Sequence, residues 1–150
     1  MDFTFNEEQT MIQDQVEQFV QKEYDWETRQ GLSNSDLGFG ASNWKTFAEL
    51  GWLGIAISEE NGGFGGSSIE TMLIMEEFGK GLVVEPFLET IVMSSSLLDQ
   101  HGTDVQKSEV IGSVISGEMH LALAYAEPQS RFNLSDVVTE AKADGDNFII

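Results

Sequence analysis

The feature that most constrains this chain is a change of apolar period near residue 118. Up to Gly117 apolar side chains recur at three to five positions, as on amphipathic helices; beyond it short apolar runs alternate, as in strands. Residues 6–27 place Met11, Ile12, Val16, Phe19 and Val20 on one side. Asn6 and Gln9 form a capping box there, and Glu7 and Glu8 suit the positive helix end. A second helix, capped by Ser42 or Asn43, turns Trp44, Phe47, Ala48 and Leu50 inward and stops at Gly51. Ser67 and Glu70 box a third, with Met72, Leu73, Met75 and Phe78 inward, Glu70, Glu76 and Glu77 outward, and Gly79 and Gly81 closing it. Pro86 fits the first turn of a fourth over residues 87–101, which carries Leu88, Ile91, Val92, Leu97 and Leu98. The fifth opens at Thr103 or Asp104 and carries Val110, Ile111, Val114 and Ile115 to Gly117.

The stretches between are less regular. Residues 31–40 read as a connecting loop, and residues 53–57 form a short apolar run open to an extended form. Residues 58–68 carry four glycines around Phe64, which implies unusual backbone angles or close chain contacts. A phosphate cradle is the sharper reading, but the Lys-Ser/Thr ending and a clear preceding strand are missing. Ser94, Ser95 and Ser96 put small polar side chains on an apolar helix, which serves close helix packing or leaves room for a ligand. After residue 118, residues 120–126 are short and apolar, residues 137–143 alternate, and Asp144-Gly145-Asp146-Asn147 turns into Phe148-Ile149-Ile150. So few strands cannot cover their own apolar faces, and the chain reads as a fragment cut inside a β domain. The expected organisation is a helical domain over residues 1–118 and the start of a β domain over residues 119–150.

Charge narrows the function. Twenty-six acidic against seven basic side chains leave a formal net charge of -19, which opposes binding to nucleic acid or to an anionic membrane surface. There is no apolar run near 18 residues and no basic, then apolar, N-terminus, so the chain reads as cytoplasmic and without a membrane span. With no cysteine and two histidines, disulfides, thiolate catalysis and Cys- or His-rich metal sites are excluded.

Four segments, in order, are similar to the N-terminal part of an acyl-CoA dehydrogenase. They are Phe3 with Glu7, Glu8 and Gln9; residues 59–66 (EENGGFGG) followed by Met75-Glu76-Glu77-Phe78-Gly79; His101-Gly102-Thr103 with Gln106-Lys107; and Gly117-Glu118 before residues 121–128 (LALAYAEP). The resemblance implies a mainly α chain: the family's N-terminal helical bundle domain followed by the first strands of its middle β-barrel domain. It also implies an FAD enzyme acting on an acyl-CoA thioester, in which a carboxylate base takes the α-proton and the flavin N5 accepts the β-hydride. The base is expected beyond residue 150, so no catalytic residue is assigned here, nor any metal ligand. An electron-transfer flavoprotein or similar acceptor and a homo- or hetero-oligomer follow from the same resemblance.

The family's Tyr/Phe-x-x-Thr-Glu-Pro-Gly-x-Gly-Ser-Asp segment, which lies along the flavin, is matched at Leu123, Tyr125, Ala126, Glu127, Pro128, Ser135 and Asp136. By that resemblance Leu123, Tyr125, Ala126 and Ser135 contact the cofactor, and Ser135 also approaches the acyl-CoA. Two departures stand out. Ala126 replaces the usual Thr, which removes a hydrogen bond worth about 0.5–1.5 kcal/mol, and residues 129–134 replace the Gly-x-Gly turn with a longer, glycine-free loop. Arg131 in that loop either faces a phosphate or carboxylate of the ligand or lies at the surface. Val92, Ser95 and Ser96 are candidates for the acyl pocket. The variant loop, with residues 82–87 (LVVEPF), resembles the small-subunit type of pimeloyl-CoA dehydrogenase, which implies pairing with a larger related subunit. A non-catalytic assembly subunit of a heteromeric acyl-CoA dehydrogenase is the alternative.

Overall fold

Two helix starts are built by the local reciprocal bonds their sequence predicts, and a third, at Thr103, by bonds of the same kind. The computed structural model describes residues 4–150, so Phe3 of the opening motif lies outside the described residues. Helix α1 (Glu7–Glu23) begins where Asn6 accepts the Gln9 N–H at 2.8 Å and the Gln9 side chain accepts the Asn6 N–H at 3.1 Å. The same box joins Ser67 and Glu70 at α4 (Ser68–Gly81), and Thr103 and Gln106 at α6 (Asp104–Ile115).

Other boundaries differ from expectation. Helix α1 stops at Glu23, and a separate helix α2 (Trp26–Ser33), capped by Asp25, takes in the first residues of the expected loop. None of its residues is buried, so it has no apolar stripe for a periodicity to reveal. At α3 (Ala41–Glu49) the cap position is Gly40, not Ser42 or Asn43, and the helix end is satisfied from a distance. Glu85 accepts the Gly40 N–H at 3.1 Å and the Asn43 side-chain amide at 3.0 Å. Residues 53–57 are not extended; a 3₁₀ turn (Trp52–Gly54) and further turns bury them. Helix α4 runs through Gly79 and Gly81 and ends at Leu82 in the left-handed region, φ 52°.

The helix expected over residues 87–101 is two. Its first half is a π-helix (Leu88–Ser95), continuing into α5 (Ser96–His101). After α6 the expected strand at residues 120–126 is absent: the segment has no strand partner among the described residues. Strand pairing begins later, with β1 (Lys142–Asp144) antiparallel to β2 (Asn147–Ile149) across Gly145 and Asp146.

The core is aromatic. Phe47, with no exposed surface, packs its ring 4.9 Å from Phe78, 5.1 Å from Trp52 and 5.3 Å from Phe19. Helices α1 and α4 lie against each other, and a Cβ at Gly81 would strike the Val20 side chain, so glycine sets how closely they approach. Of the residues expected inward, Met11, Leu50 and Met72 are exposed. Glu77, expected outward, is 2% exposed. Gln13 on α1 donates to it at 3.1 Å and Lys80 at 2.7 Å; burial pushes its carboxyl up, and these partners more than offset that.

Candidate functional site

The glycine loop is a packing device. The N–H groups of Gly63, Phe64, Gly65 and Gly66 donate to the carbonyls of Ser58, Gly54, Ile57 and Ile55 at 2.8 to 3.0 Å. The donors a phosphate would need are therefore engaged. A Cβ at Gly63 would strike Ile57, and one at Gly66 would lie 2.5 Å from the Ile55 carbonyl oxygen. Asp99 fastens the loop to α5, accepting the Ser58 hydroxyl at 2.8 Å and the Asn61 amide at 2.6 Å. Burial raises its pKa, but these bonds outweigh burial and hold the carboxyl below its ordinary value.

The residues singled out for cofactor and substrate lie along the π-helix and residues 119–139. The hydroxyls of Ser94 and Ser95 in the π-helix, and of Ser96 at the start of α5, donate to the carbonyls of Glu89, Thr90 and Ile91 at 2.7, 2.6 and 3.1 Å. Each reaches back five residues, matching the π-helical period. Ser95 has no exposed surface, and Val92 is partly buried against the core. Opposite, the fully buried Thr90 hydroxyl donates to the Leu121 carbonyl at 3.1 Å and accepts the Leu121 N–H at 3.3 Å. Sequence reasoning missed this contact because its partners are 31 residues apart and Thr90 belongs to no motif.

From that anchor the chain runs outward, with Leu123 and Tyr125 partly exposed and Ala126 exposed. Leu121, Ala122 and Leu123 share a largely apolar groove of about 540 Å³ with Ser94, Leu97, Leu98 and Val110; Val92, Ser95 and Ser96 do not line it. The glycine-free loop closes on itself. The Glu127 carboxylate accepts the N–H groups of Val138 and Thr139 at 2.8 and 3.1 Å, together with the Gln129 amide. Hydrogen bonds from Thr139, Val138 and Gln129 lower its pKa to about 2. Arg131 sits at the loop tip with φ 49°, and the Ser135 hydroxyl donates to Asn133 at 2.7 Å. Loop and groove are thus separate features. Among the described residues no group of three or more His, Cys, Asp or Glu is placed to hold a metal ion, and no helix is long and apolar enough to cross a membrane.

A helical layer followed by a partly open segment that is neither helix nor strand defines the class to which known proteins also point. The family model for the acyl-CoA dehydrogenase N-terminal domain matches residues 6–118. The chain belongs to the acyl-CoA dehydrogenase family. It is 30% identical over 129 residues to acyl-CoA dehydrogenase FadE26 of Mycobacterium tuberculosis, covering 83% of this chain and 32% of that protein. Its fold superposes on an acyl-CoA dehydrogenase complexed with FAD from Bacillus anthracis at TM-score 0.83, with 25% identity over 95% of this chain and 25% of that one. It also superposes on the ChsE4–ChsE5 complex of Mycobacterium tuberculosis at TM-score 0.82, with 23% identity over 99% of this chain and 38% of that one. The chain spans about a third of the length of the curated relatives it matches.

For a flavin, the donor set here fits one wall of a site. Residues 122–126 have no strand partner, which leaves main-chain groups for the edge of a flat heteroaromatic ring, although the Tyr125 N–H already donates to the Leu123 carbonyl at 3.0 Å.

Proposed function

We propose that this chain is the N-terminal part of an FAD-dependent acyl-CoA dehydrogenase, with residues 1–118 as its helical domain and residues 119–150 as the start of its middle β domain. The observation that carries this reading is where the family match ends: Glu118 is the last matched residue, and a segment that is neither helix nor strand follows at once. In the whole protein a carboxylate base outside residues 1–150 takes the α-proton of the acyl-CoA, and the β-hydrogen leaves as hydride, giving an enoyl thioester. FAD, when bound, is the two-electron acceptor, and an electron-transfer flavoprotein or similar protein takes the electrons onward.

The residues of this chain then bind and orient. Leu123, Tyr125 and Ala126 lie along the flavin edge, Ser135 approaches the cofactor or the acyl-CoA, and Arg131 meets a phosphate or carboxylate of the ligand. Ser95 and Ser96 act on the acyl pocket through shape, because their hydroxyls are spent inside the π-helix beside Val92. A cytoplasmic location belongs to the same reading. So do cations supplied by a partner or by the rest of the protein, since an anionic cofactor and substrate need them near a chain of charge -19.

A specific observation favours a second reading. Ala126 lacks the family's hydroxyl and the loop lacks its glycines, which suits an assembly subunit of a heteromeric enzyme that has lost flavin binding. One experiment separates the two: purify the full-length protein and add acyl-CoA without oxygen. Flavin absorbance that bleaches supports the enzyme. A colourless protein that co-purifies with a second acyl-CoA dehydrogenase-like chain supports the assembly subunit and overturns the enzyme.

A further inference from the structure

We infer that Thr90 is a positioning residue for the flavin-facing segment, an inference that rests on the flavoenzyme reading above. Its hydroxyl does for Leu121 what a neighbouring strand would do, accepting the N–H and donating to the carbonyl of the same residue. The segment has no strand partner among the described residues, so this side chain sets its position against the helical layer. Two residues further on comes Leu123, then Tyr125 and Ala126. A shift of Leu121 along the helical layer would displace all three.

Thr90 is held firmly enough to do this. Its N–H donates to the Pro86 carbonyl at 3.0 Å, its carbonyl accepts the buried Ser95 hydroxyl at 2.6 Å, and it has no exposed surface. The serine run thereby acquires a reason: Ser95 fixes the carbonyl end of the residue whose side chain holds Leu121.

The test uses the full-length protein with FAD. Thr90→Val keeps the shape and removes the hydroxyl, and Thr90→Ser restores it. The valine variant is expected to bind FAD roughly tenfold more weakly and to shift the visible flavin bands, with the melting temperature of flavin-free protein little changed. Serine is expected to recover affinity and spectrum. Wild-type affinity and spectrum in the valine variant would overturn the role, as would a serine variant no better than valine. If the valine variant does not fold, amide exchange in the wild-type holoprotein decides: a protected Leu121 amide supports the tie and a freely exchanging one refutes it. Wild-type protein that takes up no FAD defeats the flavoenzyme reading itself, and the role of Thr90 with it.

Discussion

The carboxylate of Glu127 accepts the main-chain N–H of Thr139 at 3.1 Å, joining the two ends of the loop that replaces the family's glycine turn. A side chain thus supplies closure that tight backbone geometry would otherwise give. Glu127 has its pKa lowered from 4.5 to about 2, so the closure is complete above the unfolded value and is lost as pH falls through the folded one. Protection of the Val138 and Thr139 amides against exchange, relative to the intrinsic rate at each pH, should be present at neutral pH and should fall between about pH 4.5 and 2. In Glu127→Gln, which loses one of the two acceptor oxygens, it should already be lower at neutral pH.

Glu85 predicts the opposite slope. Burial raises its pKa, against the lowering effect of main-chain bonds from its own N–H, Gly40 and Val84, and its second carboxylate oxygen is buried without a partner. A raised acid contributes stability that is full below the unfolded value and declines as pH rises through the folded one. Melting temperature should therefore carry a decline above pH 4.5 that Glu85→Gln removes. A pH profile identical in the two proteins would refute this.

Gly66→Ala should destabilise the protein by several kcal/mol, since the added methyl carbon would lie 2.5 Å from the Ile55 carbonyl oxygen, which also accepts the Gly66 N–H. Gly62→Ala is the control. No atom lies within 4 Å of its Cβ position, so it pays only for φ 87°, about 1 kcal/mol. Denaturant unfolding of the two variants measures the difference.

Phe47→Ala should cost about 3–5 kcal/mol, because the ring is fully buried among Phe19, Trp52 and Phe78 and its removal leaves a cavity the surrounding rings cannot fill. Chemical denaturation should show the lower stability with the helical circular-dichroism signal retained in the folded baseline.

The parts of this protein legible in its residues are those whose physics is local. The boxes at Asn6–Gln9 and Ser67–Glu70 bind residues three apart, so the pattern contains both partners, and the Asp144–Asn147 turn closes a hairpin the same way. Helix α2 escaped because nothing in it is buried, and the strands are shorter than the alternation over residues 137–143 implies, with every one of their residues exposed. Glu77 looked solvated until Gln13, 64 residues away, came to lie against it. Of the candidate site, Leu123, Tyr125 and Ala126 were identified by resemblance, whereas Thr90 and the closing role of Glu127 were not. The sequence by itself determined most of the helices, the caps at Asn6 and Ser67, and the change from helical period near residue 118. Only the tertiary structure decided which polar groups are buried, and how the segment after that change is held, because a hydrogen bond across 31 residues leaves no period for a sequence to display.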